Sequence, residues 1–175
     1  ALPAWDSLTP EEQGVSARLM ELYAAFLAHT DAQVGRLRDA LKEMGQYDNT
    51  LFVYIVGDNG ASAEGGLNGS SNYMGDLQGI VSDVARYAEA PETLTGEDTY
   101  AHYNAGWAWG TNAPFQWTKQ VASHLGGTRN PMVIAWPERI RDHGGLRSQF
   151  GHVTDIVPTI LEATGIPFPA SVDGV

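Results

Sequence analysis

The chain has 175 residues, of which 43% are hydrophobic and 18% charged, with no cysteine and a formal net charge of −11. A chain of this length buries about two thirds of its unfolded surface, enough for a real core and against disorder, while the acidic balance argues against non-specific binding to nucleic acid or an anionic membrane. No apolar run approaches the ~20 residues of a membrane span, and the lack of cysteine removes disulfides, thiolate metal sites and a cysteine nucleophile without naming a compartment, so periplasmic, secreted and cytoplasmic locations all stay open.

Thr9-Pro10-Glu11-Glu12 is a helix start: Thr9 caps, Pro10 fits the first helical position and Glu12 completes a capping box. Leu19, Leu22, Tyr23, Phe26, Leu27, Val34, Leu37, Leu41 and Met44 then recur at spacings of three and four, which predicts one long amphipathic helix ending at Gly45. Leu51 to Val56 is a continuous apolar run, apolar on both faces, and predicts a strand of a covered, largely parallel sheet. Residues 57–130 hold most of the glycine, three of the five tryptophans and little periodicity; a stretch that long with interleaved aromatics reads as an ordered functional surface, with one short helix from about Leu77 to Ala88. Met132 to Trp136, stopped by Pro137, is a second strand, and a helix from Asp155 to about Thr164 ends at Gly165. The order helix, strand, loop, strand, helix indicates an α/β sandwich.

The sharpest local signal is Gly57-Asp58-Asn59-Gly60, directly after the first strand. Ligands of open α/β sheets sit beyond the carboxyl ends of the strands, and a carboxylate beside a carboxamide offers hard oxygen donors that suit Ca²⁺ or Mg²⁺ rather than Zn²⁺. Two ligands are too few for a closed site, and on the tripeptide alone a plain Asp-Asn-Gly turn is the simpler account. Lys119, the first basic residue after Arg86, lies beside Phe115 and Trp117 and ahead of Ser123-His124-Leu125-Gly126-Gly127. It is either an anion anchor or an ordinary surface lysine. Of the five histidines, His29, His102 and His143 read as structural or exposed, His124 is placed to reach a site, and His152 reads as a helix-start residue ahead of Thr154 and Asp155. No Gly-x-Ser-x-Gly elbow, glycine-rich phosphate loop or His-Glu-x-x-His occurs, and the chain has no convincing nucleophile.

Taken in order, these segments resemble the sulfatase family of the alkaline phosphatase superfamily. The resemblance runs from Tyr23 to Leu37 of the helix, through Gly45-Gln46-Tyr47-Asp48-Asn49-Thr50-Leu51 and Gly57-Asp58-Asn59-Gly60, to Ala113-Pro114-Phe115, Lys119, Gly126-Gly127-Thr128-Arg129-Asn130-Pro131 and His152 to Thr159. It implies an alkaline-phosphatase-like sandwich, a central mostly parallel sheet flanked by helices and incomplete in this chain. It also implies that Asp58 and Asn59 bind a divalent cation, Ca²⁺ with Mg²⁺ as the alternative, and that Lys119 binds the sulfate group and stabilises its charge in catalysis.

The implied reaction is hydrolysis of a small-molecule sulfate ester to an alcohol or phenol and sulfate, as in arylsulfatases, with the aromatic stretch from Tyr100 to Trp117 lining the approach of the organic part. The family's nucleophile, a formylglycine made in a Cys/Ser-x-Pro/Ala-x-Arg motif, has no counterpart among these residues. The expectation is therefore that residues 1–175 are a partial catalytic domain, inactive alone, whose partner is the remainder of that domain, with the nucleophile-bearing N-terminal segment and a C-terminal subdomain lying elsewhere. Two other readings remain: a phosphonate monoester hydrolase or phosphodiesterase of the same superfamily, and a non-catalytic module in which Asp58 and Asn59 hold an ion for stability.

Overall fold

A computed structural model describes residues 1–57, 59–80 and 83–171 of the chain. Helix α1 spans Pro10–Glu43 and starts as its sequence predicts: the Thr9 side chain accepts the Glu12 N–H at 3.2 Å, and the Glu12 carboxylate accepts the Thr9 N–H at 2.8 Å. Gly45, with φ +66°, follows its end in the left-handed region that glycine enters without steric cost. Only the first third of its apolar stripe reaches the core. Val15, Ser16 and Leu19 are buried, whereas Phe26, Leu27, Leu37 and Met44 are exposed.

The core gathers Val15 and Leu19 with Val84, Tyr87, Leu94, Tyr103 and Ala108. These come from α1, from 3-10 turns at Val84–Tyr87 and Pro91–Thr95, from the helix Ala105–Asn112 and, for Tyr103, from the segment just before that helix. Polar bonds seal it: the Asn104 amide nitrogen donates to Ser16 Oγ at 2.6 Å, and the Trp107 indole N–H donates to the Ser16 carbonyl at 2.9 Å. Tyr103 and Trp107 of the aromatic stretch are thereby committed to packing, Tyr103 edge-on to Tyr23 and Trp107 edge-on to Trp5.

Strands β1 (Phe52–Ile55) and β2 (Met132–Ala135) pair with each other in the register Phe52 to Ala135 and Ile55 to Met132. The pairing is antiparallel, where the sequence led us to expect a largely parallel sheet. An apolar run on both faces signals that a strand is to be covered but carries no information about the direction of its neighbour. The antiparallel register sets the carboxyl end of β1 beside the start of β2, and the Val56 N–H continues the ladder to the Pro131 carbonyl at 3.2 Å. Both strands keep apolar surface exposed, Met132 by 46% and Val133 by 57%.

The segment after β1 folds differently from its expected single helix over 77–88. Among the described residues, helix α2 occupies Tyr73–Asp76 and a separate 3-10 turn occupies Val84–Tyr87, with Gly79 at φ +79° between them. The Asn72 side chain caps α2 through the Gly75 N–H, and Asn104 caps α3, Ala105–Asn112, through the Trp107 N–H. Residues 70–73 are tied to 100–102 by exchanged main-chain bonds, Ser70 with His102 at 2.8 and 2.9 Å. Helix α4 is the single turn Leu125–Thr128.

Ile140–Val175 forms a second compact unit. Its helix α5, Ile156–Thr164, is preceded by a 3-10 turn in which the His152 N–H donates to the Asp155 carboxylate at 2.8 Å and His152 Nδ1 accepts the Thr154 N–H. Gly165, at φ +72°, ends it in the left-handed conformation predicted for that position.

Candidate active site

The antiparallel register brings the two sequence clusters onto one surface. After β1 the Gly60 N–H donates to the Gly127 carbonyl at 3.2 Å, and the Lys119 N–H donates to the Ala61 carbonyl at 3.0 Å. Asn59 is held at its own main chain: with the Asn130 amide nitrogen turned toward it, Asn130 donates to the Asn59 carbonyl at 2.6 Å and accepts the Asn59 N–H at 3.2 Å. Asn112 completes the attachment. Its carbonyl oxygen accepts the Ala61 N–H at 3.1 Å, and its amide nitrogen donates to the carbonyls of Trp117 and Gly126, both at 3.0 Å.

Glycine is required where these segments touch. A Cβ on Gly60 would lie 1.5 Å from the Gly126 carbonyl oxygen, and one on Gly126 would lie 2.0 Å from the Trp117 carbonyl oxygen. The Gly126-Gly127 pair therefore serves close backbone approach beneath the 59–61 segment.

Lys119 belongs to a polar network centred on Glu64 that the sequence did not signal. Its Nζ donates to Glu64 Oε2 at 2.6 Å, with the two side chains 30% and 22% exposed. The same oxygen accepts from the Tyr73 hydroxyl and from Ser62 Oγ, each at 2.8 Å, and Oε1 accepts from the Gln120 amide at 2.9 Å. The bond from Lys119, followed by that from Ser62 and supported by Tyr73, holds the Glu64 carboxyl far below its ordinary 4.5, to about 2, against the opposing effect of partial burial. The same bond to Glu64 raises the Tyr73 phenol, because its proton is the donor. His102 flanks the network: Nδ1 lies 2.8 Å from the Tyr103 carbonyl, which only a protonated nitrogen can approach, and Nε2 lies 3.0 Å from Ser62 Oγ.

Asp58 lies outside the described residues. Among the described residues, no group of three His, Asp or Glu side chains is placed to hold a metal. Asn59 carries a hard-oxygen donor of the type Ca²⁺ takes six to eight of, on a main chain whose N–H and carbonyl are both held by Asn130. His124, expected within reach of a site, starts α4 with its ring 5.7 Å from that of Trp117 and its Nδ1 2.9 Å from Ser123 Oγ. Trp117 and Gln120, either side of Lys119, adopt φ of 67° and 76°, a region side-chain-bearing residues enter at a cost. Of the aromatic stretch from Tyr100 to Trp117, Tyr100, Trp109 and Trp117 are exposed.

The sequence profile of the sulfatase family matches residues 4–166. The chain is 36% identical over 166 residues to an uncharacterized sulfatase of Schizosaccharomyces pombe, a match covering 95% of this chain and 28% of that protein. It is 32% identical over 164 residues to an arylsulfatase of Klebsiella aerogenes, covering 93% of this chain and 33% of that protein. The α/β chain that carries this surface belongs to the sulfatase family. It spans a third or less of the length of these two relatives.

Proposed function

We propose that the protein hydrolyses sulfate esters, releasing an alcohol or phenol and sulfate, and that this chain contributes a cation-binding turn at Asp58 and Asn59 and the sulfate-binding Lys119. The observation that carries the reading is the main-chain bond from Lys119 to Ala61, which seats the lysine two residues beyond Asn59. An ammonium has three N–H donors, so a bond to Glu64 is compatible with another to a sulfate oxygen. In the transition state charge gathers on the sulfate oxygens and the leaving group, and a fixed ammonium there stabilises it without reorganising. Asp58 and Asn59 would hold Ca²⁺, or Mg²⁺, whose role when bound is to neutralise those same oxygens. The formylglycine nucleophile, further cation ligands and a C-terminal subdomain would come from residues outside this chain. The exposed apolar residues of β1 and β2 support a larger alkaline-phosphatase-like sheet around this pair. Exposed Trp117, Trp109 and Tyr100 suit the organic part of the ester.

The test is an assay of the intact protein against an aryl sulfate and a phenyl phosphonate, beside residues 1–175 alone. Faster turnover of the sulfate by the intact protein and none by the isolated chain is expected. Preference for the phosphonate would move the protein to the phosphonate monoester hydrolase reading.

A further inference from the structure

We infer that Glu64 is a positioning residue for Lys119, setting where its ammonium meets the substrate's anionic group. The inference rests on the reading of Lys119 as the sulfate-binding residue and adds to it a residue from another part of the chain.

Three observations carry it. First, one carboxylate grips both Lys119 and its neighbour, Oε2 at 2.6 Å from Lys119 Nζ and Oε1 at 2.9 Å from the Gln120 amide. A lysine stem has four rotatable carbons and a point-charge head, so its reach is set by whatever holds the head. Second, the carboxylate is itself anchored from behind. Tyr73 and Ser62 each donate to Oε2 at 2.8 Å, Tyr73 stands on the segment tied to 100–102, and Ser62 is braced by His102. A Cβ on Gly65 would lie 2.1 Å from the Tyr103 carbonyl, so the chain beside Glu64 is pressed directly against that segment. Third, the loop bearing Lys119 holds two side-chain-bearing residues at positive φ, Trp117 and Gln120, a conformation that persists only where surroundings enforce it. Glu64 supplies part of that enforcement through Gln120. A solvent-exposed pair made for stability alone would need neither the second oxygen nor the anchors behind it.

A double-substitution cycle in the intact protein, read as kcat/KM for an aryl sulfate, tests this. Glu64→Gln keeps the shape and removes the charge. It is expected to lower kcat/KM about 10- to 100-fold, the range for a catalytic group displaced by about an ångström, and Lys119→Ala about 100- to 1,000-fold. The double variant should match Lys119→Ala alone, because with the lysine gone there is nothing left to position. Tyr73→Phe, which leaves the carboxylate in place, should cost about fivefold, and that loss too should vanish in the Lys119→Ala background. Losses that simply multiply, or full activity in Glu64→Gln while Lys119→Ala is impaired, would overturn the positioning role and leave the function of Lys119 standing. Full activity in Lys119→Ala would instead overturn the reading beneath it.

Discussion

Lys119 and Glu64, 55 positions apart in the chain, form an ion pair of 2.6 Å in which the carboxylate serves four donors at once. The pair joins the glycine-rich stretch after β1 to the loop ahead of β2, and its consequences can be measured.

The first consequence is a pH dependence. The Glu64 carboxyl is held at about 2 in the folded chain against an ordinary 4.5, so its contribution to stability is fully present above 4.5 and is lost as pH falls toward 2. Comparing urea midpoints of the intact protein and Glu64→Gln across pH should show a deficit on the order of 2 kcal/mol near pH 7, discounted for partial exposure. That deficit should shrink between pH 4.5 and 2. A difference independent of pH would contradict the charged network.

Asn112 gives a second prediction. Its side chain satisfies the Ala61 N–H and the carbonyls of Trp117 and Gly126. Asn112→Ala should cost about 2 kcal/mol, seen as a lowered melting temperature, because three main-chain groups lose their partner together. Hydrolysis should fall with it, since Lys119 hangs from Ala61.

Glycine substitutions should divide by what their Cβ would meet. Gly60→Ala places a methyl 1.5 Å from a carbonyl oxygen and should destabilise by about 3 kcal/mol or more. Gly35→Ala, inside α1 with nothing within 4 Å, should stabilise by about 0.5 to 1 kcal/mol. Thermal melts of the two variants separate the cases.

Much of this was legible in the residues. The limits of α1 and α5 were readable because caps, a first-turn proline and a terminal glycine act locally, and β1 and β2 were readable because a dense apolar run has few other uses. The direction of the strand pair was not, since pairing is a long-range choice. The expected helix over 77–88 gave way at Gly79, which takes a left-handed conformation no helix interior accepts. Lys119 stood out against an acidic background, yet Glu64 did not. A lone acid among glycines, with no helix to make it a solvated face, was the signal available. Asn104 and Asn112 likewise cap and staple through contacts that sequence spacing cannot reveal.

On the proposed reading, the Gly57-Asp58-Asn59-Gly60 turn and Lys119 form one site for a cation and a sulfate ester. Its most direct test is the Asp58→Ala variant of the intact protein, measured for bound Ca²⁺ and Mg²⁺ and for aryl sulfate hydrolysis, with circular dichroism to establish the fold. Loss of both the cation and hydrolysis with the fold retained is the predicted result. Unchanged hydrolysis and unchanged cation content in that variant would contradict it.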